Sequence, residues 1–263
     1  MFTALKNQDG VNVVNILLSS DCRTLCDENG RTPLHISCER APNNFFTRCV
    51  ETFVLYGMNV NAAAKDGTTP LHHAASRASL FHCSVLLEHG AKFLVDKQGR
   101  TPLHYAAVST NSPDAVVEIC KLFVEAGVDV NIRDVHGKSA LAYTYIDDVV
   151  DILVQHGGSA DDLCMDSLCL HKCVLKGSVK LIQYFIEHNA PVNEVDARGR
   201  TPLHAVVLCE QSKEKKLSMI RVLLDGGVSI HARDMDNKTA FEYVNMDLLR
   251  VMVTPDSKRR RLR

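Results

Sequence analysis

Histidine and cysteine are the residues of this chain whose types could do chemistry. There are 12 His and 10 Cys among 263 residues. Four of the histidines, His35, His72, His104 and His204, close copies of one tetrapeptide, Thr-Pro-Leu-His. A general base needs a nucleophile or an orienting group beside it, and none recurs next to these. A residue repeated four times at one motif position has a structural task. The sharpest metal-type cluster is Cys164, Cys169, His171 and Cys173. Structural zinc usually takes two short Cys/His halves. This run is a single half, on a stretch expected to be mostly helical, with Cys169 and Cys173 one turn apart on one face. Small buried thiols are the preferred reading. The chain has neither a Gly-x4-Gly-Lys-[Ser/Thr] phosphate loop nor a His-Glu-x-x-His metal motif. The expectation is no enzyme, no catalytic residue, no cofactor, no metal and no small-molecule substrate.

The elements that carry these histidines repeat. Aligned on the Thr of the tetrapeptide, the units fall at Thr32, Thr69, Thr101, Ser139, Leu168, Thr201 and Thr239, with spacings scattered around a period near 33. Periods of this size mark stacked arrays. In each unit Asp-x-x-Gly predicts a tight turn, since Gly accepts the positive φ that other residues resist. Thr is placed to cap a helix, and Pro at the first helical position lacks only an N–H that would be orphaned anyway. Leu103, Ala106 and Ala107 then share an apolar face. A second helix follows, with Val116, Ile119, Cys120 and Phe123 on one side and Gly127 as its stop.

This pattern resembles the ankyrin repeat, over roughly Met1 to Val253. The resemblance implies an all-α solenoid of stacked helix-turn-helix units with β-hairpin fingers. It also implies that the motif His hydrogen-bonds within and between repeats. The expected organisation is a single domain over 1–253, with an N-terminal cap at 1–26 and repeats starting near 27, 64, 96, 134, 162, 196 and 234. A flexible basic tail occupies 254–263. The fourth unit lacks Pro and His (Ser139-Ala140-Leu141-Ala142) and should have short helices. The fifth keeps only Leu170-His171, and the last leads to a short helix near 247–253. Three units carry four or five extra residues between their paired helices, at Arg40–Phe45, Ser109–Asp114 and Glu210–Lys216. Ser112-Pro113 and Pro42-Asn43-Asn44 read as fresh caps for the second helix. These insertions are either contact loops or neutral additions to an exposed edge.

Family members bind through the hairpin tips, the residue between Gly and Thr, and the exposed end of the first helix. The matching positions here are Glu28, Asn29, Arg31 and Glu39, then Lys65, Asp66, Thr68 and Ser76, then Lys97, Gln98, Arg100 and Val108. Further along they are Val135, His136 and Lys138, then Ala197, Arg198, Arg200 and Leu208, then Met235, Asp236 and Lys238. Arg31, Arg100, Arg200, Lys138 and Lys238 share one repeat position and would form a basic stripe for an acidic or phosphorylated partner. Asn61, Asn131 and Asn193 occupy the position that asparaginyl hydroxylases modify in some members.

Composition is that of a soluble protein, 46% apolar and 23% charged, without an 18-residue apolar run or a secretory signal. Scattered cysteines in a chain of this size suggest reduced thiols and a cytoplasmic or nuclear location. Formal net charge is −1, yet Lys258, Arg259, Arg260, Arg261 and Arg263 crowd the last six residues. That tail resembles a nuclear import signal, and Arg260-Arg261-Leu262 a cyclin-docking element. One basic end on an acidic body is a poor nucleic-acid surface. The function expected is a non-catalytic protein–protein interaction module: scaffold, adaptor or inhibitor. One alternative is a nuclear regulator that binds a transcription factor. Another is a viral or bacterial host-directed effector.

Overall fold

The computed structural model describes residues 1–8, 13, 25–40, 43–159 and 168–244. It divides into two compact units, Met1–Ser159 and Ala160–Arg263. The division falls between the two most degenerate repeats, where Thr-Pro-Leu-His is replaced by Ser139-Ala140-Leu141-Ala142 and then by Leu168-Cys169-Leu170-His171. The second helix of the expected N-terminal cap, apart from Val13, lies outside the described residues, as do Cys164 and the expected helix near 247–253.

In the first unit, α1 (Phe2–Lys6) precedes the helix pairs α2 (Pro33–Glu39) with α3 (Asn44–Leu55), α4 (Pro70–Ser76) with α5 (Leu80–Glu88), and α6 (Pro102–Val108) with α7 (Pro113–Glu125). A 3-10 turn, Ala140–Ala142, then leads to α8 (Asp147–Gln155). In the second unit, α9 (Cys169–Lys176) pairs with α10 (Val179–Glu187) and α11 (Pro202–Leu208) with α12 (Lys213–Asp225), followed by a 3-10 turn at Ala240–Tyr243. The first helices of successive repeats pack side by side, α2 on α4 and α4 on α6 in one unit, α9 on α11 in the other.

The tetrapeptide explains why each first helix starts where it does. Thr32, Thr69, Thr101 and Thr201 are N-caps followed by Pro, and each forms a capping box with the His three residues on. The Leu of the motif becomes a core residue: Leu34, Leu71, Leu103 and Leu203 are fully buried. Opposite them lie Phe53, Leu86, Phe123, Phe185 and Leu223 from the second helices, also buried. The fourth repeat lacks both Pro and His, and its first helix shrinks to the three-residue 3-10 turn. The Ser139 hydroxyl at its cap is buried without a partner.

Among the described residues the fingers form no β-strand; the one bridge there is Arg233 with Thr239. They are tight turns, too short for a ladder; five are held by a leading Asp, and the second, which opens on Ala64, by Asp66. In the third repeat Asp96 N donates to Arg100 O (2.9 Å), and Asp96 Oδ1 accepts from Gln98 N (2.8 Å) and Arg100 N (2.9 Å). Neighbouring fingers are tied backbone to backbone. In the first unit Lys65 N donates to Asn29 O (2.8 Å), Lys97 N to Asp66 O (2.9 Å) and Val135 N to Gln98 O (2.8 Å). In the second, Met235 N donates to Arg198 O (3.0 Å).

Two of the three insertions are latches. Ser109 Oγ and Asn111 Nδ2 both donate to Ser76 O, at 3.0 and 3.2 Å. Gln211 Nε2 does the same to Leu175 O, at 3.1 Å. Each supplies a partner to a carbonyl at the C-terminal end of the preceding repeat's first helix, where the helix itself offers none. The extra residues also cap the helix that follows them: Asn43 Oδ1 accepts from Phe46 N (2.9 Å) and Ser112 Oγ from Ala115 N (3.4 Å).

Candidate functional site

The motif histidines are bonded at both ring nitrogens. His104 Nδ1 accepts from Thr101 N (3.1 Å) and sits 2.9 Å from Thr101 Oγ1. Its Nε2 donates across to Lys138 O in the next repeat (3.0 Å). His35 reaches Thr68 O, His72 reaches Arg100 O and His204 reaches Lys238 O in the same way. These partners fix the neutral tautomer with the proton on Nε2. Burial pushes His35 and His72 down to about 4. The fifth repeat keeps the crossing bond, His171 Nε2 to Arg200 O at 2.7 Å. Its Nδ1 is unpartnered, because Leu168 replaces the capping Thr.

His82 on α5 is fully buried, and neither ring nitrogen has a partner. Burial alone drives it to about 4. Sequence reasoning missed it, since it belongs to no motif. Counted back from the stop residue of each second helix, the same place holds Cys49, Ile119, Val149, Leu181 and Met219. That alignment marks His82 as an imidazole in an apolar position. Cys169 and Cys173 are both buried in α9, and burial pushes the Cys173 thiol far up, away from the thiolate a metal requires. Among the described residues no group of three or more His, Cys, Asp or Glu could hold a metal ion.

At the finger tips Glu28, Asn29, Lys65, Asp66, Lys97, Gln98, Val135, His136, Arg198, Asp236 and Lys238 are exposed, while Arg31, Glu39, Arg100, Lys138 and Arg200 are half-buried. Thr68 is buried and spends its hydroxyl on Asp66 Oδ1 (2.6 Å). The arginines do not form the bare basic stripe that their position suggests. Arg31 pairs with Asp27 (2.9 Å), Arg100 with Asp96 (2.8 Å) and Arg200 with Asp196 (2.6 Å). Tyr105 OH joins the Arg100–Asp96 pair, donating to Asp96 Oδ2 (2.8 Å) while accepting from Arg100 Nη2 (2.8 Å). Burial works to raise the Asp96 carboxyl, but the bonds from Arg100 and Tyr105 hold it below the ordinary value. At Asp196 the bonds from Arg200 overcome burial and bring the carboxyl to about 2. Tyr143 and Tyr243 donate to Asp134 and Asp234 in the same arrangement. Lys238 lies over the Tyr243 ring, 5.2 Å from its centroid.

Two clefts open behind these fingers. One, of about 300 Å³ in the first unit, lies between Arg100, Tyr105, Val108, Asn111 and Tyr143. The other, of about 320 Å³ in the second unit, lies between Arg200, Leu175, Ala205, Leu208 and Cys209. Val108, Leu175 and Leu208 are exposed apolar side chains on their rims. The asparagines bridge repeats: Asn61 Nδ2 donates to Gly90 O (2.9 Å) while its Oδ1 accepts from Lys92 N (2.8 Å). Asn131 repeats this with Gly157 O and Ser159 N, and Asn193 Oδ1 accepts from Ser229 N.

A family model described as ankyrin repeats (3 copies) matches residues 1–93 and 41–134, and one described as ankyrin repeats (many copies) matches residues 170–224. Among curated relatives, E3 ubiquitin-protein ligase KEG of Arabidopsis thaliana is 26% identical over 246 residues, 86% of this chain and 15% of that protein. The B-cell lymphoma 3 protein homolog of Mus musculus is 26% identical over 222 residues, 82% of this chain and 48% of that protein. The chain thus spans less than half the length of either relative. Among solved structures, the human ASB11 ankyrin repeat domain superposes with a TM-score of 0.59 at 22% identity, covering 86% of this chain and 100% of that one. The ankyrin repeat domain of Bcl-3 gives 0.52 at 24%, covering 85% and 100%. Among the described residues no helix is long and apolar enough to cross a membrane.

Proposed function

Because this chain belongs to the ankyrin-repeat family, we propose that it is a non-catalytic binding module that holds another protein on its finger tips and the exposed ends of its first helices. The scaffold, adaptor or inhibitor role is carried by occupancy of a partner's surface. One observation carries this reading above the others. The finger backbones are consumed in bonds to their own Asp and to the next finger, whereas Lys97, Gln98, Val135 and His136 extend outward with no structural duty printed on them by those bonds. Structural and recognition tasks are thereby separated between main chain and side chain. The four motif histidines are spent on caps and on bonds to the next repeat. Affinity capture with the intact chain should yield a stoichiometric protein, and Lys97→Glu with Gln98→Glu and Val135→Asp should lose it while the helix signal is unchanged. A partner retained by that variant moves the binding surface elsewhere.

A nuclear role is the second reading, favoured by five basic residues in the last six. Lys258, Arg259, Arg260, Arg261 and Arg263 lie outside the described residues. Deleting 258–263 from a fluorescently tagged chain should lower its nuclear-to-cytoplasmic ratio severalfold. An unchanged ratio would leave the cytoplasmic scaffold.

A further inference from the structure

The finger arginines are alike in their Asp bond and unlike in what meets the other side of the guanidinium. Arg31 uses Nε and Nη2 on Asp27, and its Nη1 donates to Glu39 Oε2 at 2.9 Å. Glu39 stands seven residues after the capping Thr32, at the end of its own first helix. In the third and sixth repeats that place holds Val108 and Leu208. Neither can accept a hydrogen bond. Arg100 and Arg200 keep their Asp bonds through Nε and Nη2. Their Nη1 corners meet no acceptor among the described residues, and both arginines line the clefts described above.

Resting on the protein-binding reading, we propose that the Arg100 and Arg200 clefts each take a carboxylate side chain of a partner protein, with a neighbouring apolar side chain on Val108 or Leu208. Glu39 occupies the corresponding place at Arg31 in cis, so that finger is closed. The Arg31 geometry demonstrates that one guanidinium in this frame accommodates two carboxylates at hydrogen-bonding distance. The fixed Asp therefore does not bar a second one. A planar guanidinium already held along one edge presents its other edge with little ordering left to do. The rim supplies the apolar part: Val108 and Leu208 are 55% and 43% exposed, and Leu175 beside Leu208 is 63% exposed. The recognised element is an acidic residue next to an aliphatic one in an extended segment.

The test uses the full chain labelled at its arginine guanidinium nitrogens. The probe is the blocked dipeptide N-acetyl-Leu-Glu-N-methylamide, with the Gln counterpart as control. Arg100 and Arg200 should respond to the Glu probe and Arg31 should not. The Gln probe should bind roughly tenfold more weakly, the size expected for loss of a charge-assisted bond. Val108→Glu and Leu208→Glu recreate the Glu39 arrangement at exposed positions and should silence Arg100 and Arg200 respectively. Glu39→Ala should make Arg31 respond. Equal response to Glu and Gln, response of Arg31 in the parent chain, or no effect of Val108→Glu and Leu208→Glu overturns the inference. Preference for a blocked phosphoserine over Glu at both sites replaces carboxylate by phosphate and overturns it too. A partner captured by the intact chain and kept by the Val108→Glu, Leu208→Glu variant would sink this inference while leaving the binding-module reading in place.

Discussion

Acidification from neutrality to about pH 4 should unfold the Met1–Ser159 unit. His35, His72 and His82 are each driven from the ordinary 6.5 to about 4, in every case chiefly by burial. His73 and His104 are lowered as well. Their folded values lie below their unfolded ones, so the unfolded chain takes up protons first as pH falls. The stability they contribute is full above about 6.5 and is lost progressively as pH drops towards 4. Each of the three would forfeit up to about 3 kcal/mol, against a net stability on the order of 5–15 kcal/mol for a whole domain. The geometry agrees in sign. An imidazolium at His35 or His72 would turn Nδ1 from an acceptor into a donor facing the Thr32 or Thr69 N–H. The finger aspartates enter only at still lower pH, because Asp27, Asp66, Asp96 and Asp134 are held below 3.8. Urea melts at pH 7.5, 6, 5 and 4 read this directly, and a midpoint that stays level from 7.5 to 5 refutes it. His82→Leu should raise the pH 5 midpoint, since it removes two unpartnered buried nitrogens and installs the side chain found at Leu181.

Gly67→Ala should destabilise the first unit by about 3 kcal/mol, far more than the same change at Gly90. Both glycines have positive φ, +85° at Gly67 and +83° at Gly90. A Cβ at Gly90 would meet nothing within 4 Å, so that change costs only backbone strain, about 1 kcal/mol. At Gly67 it would stand 2.8 Å from Lys97 N, the atom that donates to Asp66 O and ties one finger to the next. Relief requires the fingers to part and that bond to lengthen. Thermal melts of the two variants side by side provide the measurement. Equal losses would mean that the close finger approach contributes nothing.

The array was legible because Thr, Pro, Leu and His each have one local physical job, and a job repeated at fixed spacing shows in one dimension. The shortened first helix after Ser139 was legible for the same reason, from the missing Pro and His. The charge at the fingers was misread. Arg31, Arg100 and Arg200 look like a stripe when compared across repeats, but each has an Asp four residues earlier in its own turn, and the turn brings the two together. His82 was hidden because its meaning depends on which face of α5 is turned inward. The clefts at Arg100 and Arg200 could have been suspected from Glu39 giving way to Val108 and Leu208 along one column. Their closure needed coordinates, since the walls include the inserted residue Asn111 in one and Cys209, the residue just before an insertion, in the other. The division into two compact units falls where the motif itself fades.

The Asp–Arg pairing within the first, third and sixth fingers has a kinetic consequence. A finger whose positive and negative groups are bonded to one another is a dipole, and a dipole's attraction fades with distance faster than that of a lone charge. Beyond a Debye length of about 8 Å at physiological salt little remains to draw a partner in. Association at the paired fingers is then ordinary diffusional docking, without the acceleration that a uniformly charged surface confers. Discrimination between partners rests on how long each stays, in the dissociation rate, and responds weakly to ionic strength.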